Sequence, residues 1–326
     1  MKLASYRSQR GDGIAVINTD HDTLQDLHDL WNQLPPGWHA PRTLLDLIED
    51  SATLMPWLAQ HLPAYQTRAP AQALHTVTLL PPVTRPSKII CLALNNSANH
   101  DRILQGPSHP ATFIKPASAL VGHGGAIELR TDDGRVHPEP ELAVIIGQGG
   151  RDILPERAYD HVFGYTIHND ITGATLRGED TFHYRAIHPA SAGSLDIQYV
   201  DTWVSYPGRY KGSDTFACMG PWLVTADELP DPHGLDIACH HQGRLITADN
   251  TANLTHHTPA VIAWVSRYMT LWPGDIISLG TALKRTASGG AVQNIDLLTM
   301  GGPVSVTIQG IGTLENPVAV RPGARA

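Results

Sequence analysis

The segment HPEPELAVIIG, residues 137–147, decides the fold of this chain. Its apolar run, LAVII at 142–146, predicts a buried β-strand with two glutamates at its entrance. Side chains alternate along a strand, so Glu139 and Glu141 point to the same face. Two carboxylates at the edge of an apolar core repel each other and lose hydration unless a cation or a shared proton offsets this. We interpret the pair as ligands of a divalent metal; a solvated pair at a strand end is the alternative.

A second segment, VFGYTIHND at residues 162–170, predicts another strand with a polar exit. Asp170 can supply a third carboxylate there, although a turn or helix-capping aspartate is also consistent with the pattern. If the three acids meet, they form an all-oxygen site, which suits Mg²⁺ or Mn²⁺ better than zinc.

Two further segments carry candidate site residues. Lys211, in KGSDTFACMGP, could neutralise a substrate carboxylate or oxyanion beside the metal, although a surface lysine would fit the sequence as well. The segment WPGDIISLGT ends at Gly280 and Thr281, whose amide and hydroxyl could bind a carboxylate. A turn followed by a strand-end threonine is the alternative.

Short β-like runs bounded by Gly, Pro or Asp dominate the chain beyond residue 80. One amphipathic helix interrupts them, with Thr258 as cap and Pro259 at its first position. Before residue 80 we expect a strand pair over 3–18, a helix behind a Thr23 cap and two short helices separated at Pro56. Residues 63–88 read as a linker. The predicted fold class is α+β, mainly β, with a small N-terminal domain (1–80) and a larger domain (81–326). The β-like runs are KIICLAL, ELAVIIG, HVFGYTIHND, GPWLVT, DIISLGT and PVSVTIQGIGTL.

The composition of the 326 residues narrows the possible partners. A formal net charge of −8 disfavours binding to nucleic acid or anionic membranes. The three cysteines form no CxxC pair and their odd number closes no disulfide framework, so we expect reduced thiols and a cytoplasmic location. The N-terminus lacks the apolar stretch of a signal peptide, and no apolar run reaches membrane-spanning length.

Several motifs, taken in order, resemble those of the fumarylacetoacetate hydrolase family over about residues 86–318. The resemblance implies a mixed β-sheet roll behind a small N-terminal α+β domain, a homodimer, and a Mg²⁺ or Mn²⁺ site. By motif, Glu139, Glu141 and Asp170 match the family's metal carboxylates and Lys211 its active-site lysine. Gly280 and Thr281 match its substrate-binding strand end. The motifs are KIICLALN, FIKP, EPELAVIIG, GYTIHND, KGSDTF with GP, PGDIISLGT and GIGTLENPV.

The resemblance implies catalysis on a small 2-oxo or 1,3-dioxo acid through an enolate. Many members activate water with a histidine and a glutamate that follow an asparagine–tyrosine pair. Counting from Asn95, this chain has Asn96 in the tyrosine place, Asn99 in the histidine place and Arg102 in the glutamate place, while His100 lies one position late. On this alignment the water-activating pair is absent, although a shift of the loop could present His100 or His109 to the site. We retain His100 as the candidate water-activating residue.

Three functions remain open from the sequence. The leading hypothesis is metal-dependent hydrolysis of a C–C bond in an acylpyruvate or dioxo acid, in catabolism. The alternative is a lyase or isomerase of the same family, acting as decarboxylase, dehydratase or keto–enol tautomerase. A ligand-binding relative without turnover is the third. Specificity is expected in the loops over 95–110 and 178–206, which no periodicity defines.

Overall fold

The computed structural model describes residues 1–283 and 291–323. Its helices are α1 His28–Trp31, α2 Leu44–Glu49, α3 Ser51–Gln66, α4 Ala174–Glu179, α5 Gly208–Gly212, α6 Thr258–Tyr268 and α7 Leu297–Met300. Its strands are β1 Lys2–Ser8, β2 Gly11–Asn18, β3 Thr23–Asp26, β4 Gln72–Ala73, β5 Thr78–Leu79, β6 Ile89–Ala93, β7 Ala111–Lys115, β8 Leu120–Val121, β9 Ile127–Arg130, β10 Val136–His137, β11 Pro140–Ile146, β12 Val162–Asp170, β13 Thr172–Gly173, β14 Thr181–Pro189, β15 Ile197–Ser205, β16 Ala217–Thr225, β17 Asp236–His241, β18 Arg244–Asn250, β19 Ile276–Ser278, β20 Val304–Ile308, β21 Gly312–Asn316 and β22 Val318–Arg321.

One large mixed sheet organises the described residues. Its strands run in the order β4-β3-β2-β1-β16-β12-β11-β19-β6-β7, with β5 beside β1 and β8 beside β16. Strand β11 lies antiparallel to β12 and β19, whereas β19 and β6 are parallel. Strands from residues 1–79 join the same sheet as those from the rest of the chain. The prediction of a mainly β, α+β fold is confirmed, and the division at residue 80 stays a prediction.

Two apolar cores cover the two faces of this sheet. Every residue of β11 is buried, and its side chains alternate between the cores. Leu142 and Val144 belong to the core that also contains residues of the four-stranded sheet β18-β17-β20-β21. Ala143 and Ile145 belong to the core that packs against α2 and α3. The central strands are therefore apolar on both sides, which explains the unbroken apolar run in the sequence.

The helix predicted behind Thr23 is wrong over its first turn. Residues 23–26 form β3, which pairs with β2 and places Leu24 opposite Ile17. The helix that follows is only α1, with Leu27 as its N-cap residue. Pairing with a neighbouring strand satisfies the backbone and buries Leu24 at the same time, so tertiary contacts override the local helical spacing.

The prediction of two short helices separated at Pro56 is also wrong in its position. The helical structure is interrupted at Asp50, between α2 and α3. Pro56 lies inside the sixteen-residue helix α3. Proline removes one intrahelical hydrogen bond. Burial of Leu54 and Leu58 on either side of it offsets that loss.

The linker predicted over 63–88 is wrong, because this part of the chain forms regular structure: α3 extends to Gln66, and β4 and β5 add to the large sheet.

Among the described residues, no helix combines the length and apolar character needed to cross a bilayer.

His233 makes the stability of this fold depend on pH. Its ring accepts a hydrogen bond from the backbone N–H of Thr258 at 3.0 Å, at the first residue of α6, and stacks on His257 at a centroid distance of 4.0 Å. Burial, followed by repulsion from His257, lowers the pKa of His233 to about 4. A histidine whose folded pKa is depressed stabilises the protein fully above its unfolded value of about 6.5 and loses that contribution as the pH falls toward 4.

We therefore expect the free energy of unfolding to drop by about 2 kcal/mol between pH 6.5 and 4, allowing for the partial exposure of the ring. His233→Asn should lose less over this window, whereas His75→Asn, at an exposed position, should behave like the unsubstituted chain. Urea unfolding across the pH range measures both, and parallel curves for all three proteins would contradict the assignment.

Candidate metal centre

Three carboxylates meet where β11 begins and β12 ends. The two strands are antiparallel, with Glu141 opposite His168, so the entrance of one strand lies beside the exit of the other. The backbone N–H of Asp170 donates to the carbonyl of Glu139 at 2.8 Å and closes this corner. One oxygen from each of Glu139, Glu141 and Asp170 lies within 4.8 Å of the other two. The structure thus brings together the three acids that the sequence analysis selected.

Two lysines reach the same carboxylates. Lys211, on α5, donates to Glu139 Oε2 at 2.8 Å and to Asp170 Oδ2 at 2.5 Å. Lys115, the last residue of β7, is fully buried and pairs with the other oxygen of Asp170. Three carboxylates and two ammonium groups leave one net negative charge in the cluster. An all-oxygen donor set with residual negative charge fits a hard dication such as Mg²⁺ or Mn²⁺.

The lysines favour the ionised forms of Glu139 and Asp170. Burial alone would raise the pKa of Asp170, but the charges of Lys115 and Lys211 outweigh it and hold the pKa below its usual range. Burial likewise opposes ionisation of Glu139, and Lys211 together with the hydrogen bond from His137 lowers its pKa. Burial would depress the pKa of Lys211, yet its carboxylate neighbours raise it. All three groups are therefore charged at neutral pH.

Glu141 is held from the side of β19. Its Oε2 accepts hydrogen bonds from the Ser278 hydroxyl at 2.5 Å and the Gly280 amide at 3.1 Å. The Thr281 hydroxyl lies 3.2 Å from Glu141 Oε1 and 3.1 Å from Glu139 Oε2. Gly280 and Thr281, predicted to bind substrate, here contact the two glutamates directly. Their role toward a substrate stays a prediction.

Behind Ser278 lies a buried histidine. Nδ1 of His168 is 2.7 Å from the Ser278 hydroxyl oxygen, and the ring has no exposed surface. Because that hydroxyl donates to Glu141, it accepts from the imidazole, which places a hydrogen on Nδ1. The chain His168–Ser278–Glu141 thereby fixes the orientation of one carboxylate.

The strand end at Gly280 requires glycine and a supporting asparagine. Gly280 has φ +97°, and a Cβ there would lie 2.9 Å from Cβ of Asn95. The Asn95 amide donates to the carbonyls of Leu279 at 2.7 Å and His256 at 2.9 Å. Asn95 therefore joins this strand end to a neighbouring loop.

His100 lies in the 3₁₀ turn that follows, Ser97–Arg102, and is exposed. Its Nε2 is 3.3 Å from the Thr255 hydroxyl. Asn99, in the histidine place of the family pattern, is buried instead, and its side-chain oxygen accepts a hydrogen bond from Arg102 at 3.3 Å. Neither the Asn99 amide nor the Arg102 guanidinium can accept a proton at neutral pH.

Lys115, His168 and Ser278 are the contributors that sequence reasoning missed. Lys115 is the lysine of the FIKP motif, so the motif contained a signal, but nothing in its spacing predicts complete burial against an aspartate. His168 and Ser278 lie inside apolar strand runs, where a single polar residue does not indicate its partner.

Comparisons with known proteins identify the family of this chain. Residues 88–319 match the family model described as fumarylacetoacetate (FAA) hydrolase C-terminal. The chain is 34% identical over 243 residues to the mitochondrial oxaloacetate tautomerase FAHD2B of Bos taurus, covering 74% of this chain and 69% of that protein.

Two solved structures extend the similarity over nearly the whole chain. Maleylpyruvate hydrolase from Sphingobium sp. SYK-6, in complex with manganese(II) and pyruvate, is 30% identical with a TM-score of 0.70, covering 98% of this chain and 99% of that one. The 5-carboxymethyl-2-hydroxymuconate delta-isomerase of Mycobacterium smegmatis is 28% identical with a TM-score of 0.66, covering 99% and 100%. A hydrolase and an isomerase thus share this architecture, a tautomerase is related in sequence, and the chain belongs to the fumarylacetoacetate hydrolase family.

Proposed function

We propose that this chain is a divalent-metal-dependent enzyme that tautomerises or isomerises a small 2-oxo acid. The observation that supports it is the buried cluster of three carboxylates and two lysines. The carboxylate oxygens of this cluster converge on one point, where an ion can bind. Glu139, Glu141 and Asp170 would hold Mg²⁺ or Mn²⁺. When bound, the ion would supply Lewis-acid stabilisation of negative charge on the 2-oxo oxygen.

The chain's own residues would receive and orient the acid. With a dication added, the net charge of the cluster becomes positive, which favours a carboxylate substrate. The ammonium group of Lys211 remains charged and would stabilise negative charge that develops on the substrate oxygen. The Thr281 hydroxyl, within hydrogen-bond distance of both glutamates, would orient the substrate carboxylate.

We propose proton transfer rather than hydrolysis because of Asn99 and Arg102. Where many relatives have a histidine and a glutamate that activate water, these two residues bond to each other and supply no base. Within the described residues, the Asn99 side-chain nitrogen is buried and has no hydrogen-bond partner. It would donate to a substrate oxygen if substrate binding exposed it. Moving a proton between carbon and oxygen of a 2-oxo acid needs no attacking water.

C–C hydrolysis of an acylpyruvate is the second candidate. The similarity to the Sphingobium maleylpyruvate hydrolase, over 98% of this chain, favours it. In that case His100 would have to leave Thr255 and act as the base, and His100→Ala would abolish the activity.

One panel of assays separates the candidates. The purified chain with Mn²⁺ or Mg²⁺ is given enol oxaloacetate, and the decay of enol absorbance is compared with that of a metal-chelated sample. Maleylpyruvate and other acylpyruvates are analysed for two acid products. Accelerated enol decay without acid products supports the tautomerase, while two acid products support the hydrolase. Activity that persists at full rate after chelation contradicts both.

Ser278 provides a prediction that does not depend on the substrate. Ser278→Ala removes one donor from Glu141 and the partner of His168, so we expect Mn²⁺ affinity to fall by about ten- to a hundredfold. Ser278→Thr keeps the hydroxyl and should recover most of the affinity. Calorimetric titration with Mn²⁺ measures both. Reduced thermal stability with unchanged Mn²⁺ affinity would indicate a purely structural role.

A further inference from the structure

The turn Ser97–Arg102 is anchored beside the candidate centre by the residue that precedes it. The Asn96 amide donates to the carbonyl of Thr281 at 3.3 Å, and its side-chain oxygen accepts from the N–H of Ala98 at 2.9 Å. The Thr281 hydroxyl contacts both glutamates of the acidic cluster. Whatever the end of this turn binds will therefore lie close to a molecule bound at the cluster.

Two residues of the turn, Asn99 and Arg102, offer hydrogen-bond donors without a matching acceptor. Arg102 donates to Asn99 Oδ1 at 3.3 Å, which engages the only side-chain acceptor atom of the two residues. Asn99 is 1% exposed, and within the described residues its side-chain nitrogen has no hydrogen-bond partner. A buried donor without a partner costs free energy, so this amide favours a ligand that brings an acceptor.

The charge of Arg102 is also without a carboxylate partner in the part of the chain that the structure describes. The arginines that do pair with a carboxylate there are Arg7, Arg130, Arg157, Arg185, Arg209 and Arg321. A guanidinium group beside an unpartnered amide donor favours an anionic ligand over a neutral one.

Both residues line a pocket of about 400 Å³. Its lining contains no acidic residue that could neutralise the guanidinium, and aliphatic side chains form much of the wall. A ligand that covers such a wall excludes water from the guanidinium, which strengthens its attraction for a negative charge. The lining residues are Leu94, Asn99, Arg102, Ile103, Leu104 and Gln105.

We propose that Arg102 and Asn99 bind a second, distal carboxylate of the substrate, so that this chain acts on 2-oxo diacids. The inference rests on the proposed function, because it takes the 2-oxo end of the substrate to lie at the acidic cluster. The planar guanidinium matches the two oxygens of a carboxylate, and the Asn99 amide adds a further donor. Where many relatives have the glutamate of a water-activating pair, this chain would then have a substrate-binding arginine.

The balance of charges agrees with a diacid. Three carboxylates, two ammonium groups and a dication give the cluster one net positive charge, which the carboxylate at the 2-oxo end neutralises. Arg102 adds a second positive charge outside the cluster, and a distal carboxylate neutralises that one. A mono-acid that covered the pocket would leave the guanidinium partly desolvated and unpaired, which costs free energy.

Two ligands that differ in the distal charge test this inference. N-oxalylglycine is an analogue of a 2-oxo diacid that cannot form a carbon enol, and the methyl ester of its glycine carboxylate lacks the distal charge. Calorimetric titration of the Mn²⁺-loaded chain gives both dissociation constants. We expect the diacid to bind at least about tenfold more tightly than the ester. This preference should shrink as salt is added, because salt screens the charge pair.

Substitutions of Arg102 should change the preference rather than binding in general. Arg102→Gln should reduce it to about twofold or less, and Arg102→Lys, which keeps the charge without the planar fork, should retain part of it. Arg151→Gln replaces an exposed arginine beyond the other end of β11 and should keep the full preference. If Arg102 only held Asn99 in place, its removal would weaken both ligands alike.

The inference is overturned if the unsubstituted chain does not prefer the diacid, or if Arg102→Gln keeps the preference. The enol-decay assay reports on the proposed function separately. Metal-dependent enol decay together with an unchanged preference in Arg102→Gln overturns this inference alone. A preference that depends on Arg102, in a chain that does not accelerate enol decay, supports the distal carboxylate site and overturns only the proposed reaction.

Discussion

Replacement of Glu141 with alanine is expected to abolish Mn²⁺ binding and to lower turnover by about a thousandfold or more. Glu141 is one of three carboxylates whose oxygens lie within 4.8 Å of one another, and its removal takes away an anionic donor. Losing the ion removes several kcal/mol of stabilisation of the negative charge that develops on the substrate, which corresponds to a rate factor of this size.

The variant also leaves Ser278 and Gly280 without this acceptor, while the Thr281 hydroxyl keeps Glu139 Oε2. Glu141→Gln is the necessary companion, since it keeps the side-chain volume and one carbonyl oxygen while removing the charge. Calorimetric Mn²⁺ titration of both variants, with Glu156→Ala at an exposed position as control, separates loss of the ion from loss of the fold. Normal Mn²⁺ affinity in a folded Glu141→Gln protein would disprove the assignment of this residue.

Lys115→Met should have the largest effect on stability. Lys115 has no exposed surface, and its partner Asp170 is 1% exposed. Removing one member of a buried ion pair costs about 3–5 kcal/mol, because the remaining charge stays out of water without full compensation. Urea unfolding of the metal-free protein measures the loss. Lys2→Met, which removes an ammonium bonded only to Thr19 among the described residues, should change little.

Added Mn²⁺ should restore part of that loss. Without Lys115 the cluster carries one more unit of negative charge, so the ion should bind more tightly. The stabilisation of a protein by a bound ion grows with the ratio of free ion to dissociation constant. Mn²⁺ should therefore stabilise the variant more than it stabilises the unsubstituted protein. If Mn²⁺ raises the free energy of unfolding of the variant no more than that of the unsubstituted protein, then Lys115 assists ion binding rather than substituting for the charge of the ion.

The sequence predicted the acids of the centre because strand geometry determines their direction. Glu139 and Glu141 differ by two residues at the entrance of an apolar strand, and Asp170 ends another, so period-two alternation and strand boundaries made them candidates. The resemblance to the family's motifs then favoured them over a solvated pair and a turn aspartate. Lys115 and Ser278 reach the same point from β7 and β19, which are brought there by strand order in the sheet. No local pattern contains that order. The FIKP motif marks Lys115, but its contact with Asp170 and that of the Ser278 hydroxyl with Glu141 were visible only in three dimensions.

The errors in the N-terminal part have the same origin. The spacing of Leu24 and Leu27 is consistent with a helix, but pairing of residues 23–26 with β2 outweighed it. Pro56 was predicted to end a helix on the basis of its missing N–H, and packing of α3 against the sheet compensated for that loss. In both places non-local burial decided between local options.

Arg209 forms ion pairs with Glu179 and Asp180, and their position is useful for protein engineering. These contacts lie at the root of the two-stranded ribbon of β14 and β15, where Thr181 also pairs with Ser205, and among the described residues the two strands pair only with each other. A different hairpin or a small binding module could be grafted at this root to change which molecules the protein associates with, while the acidic cluster keeps its geometry.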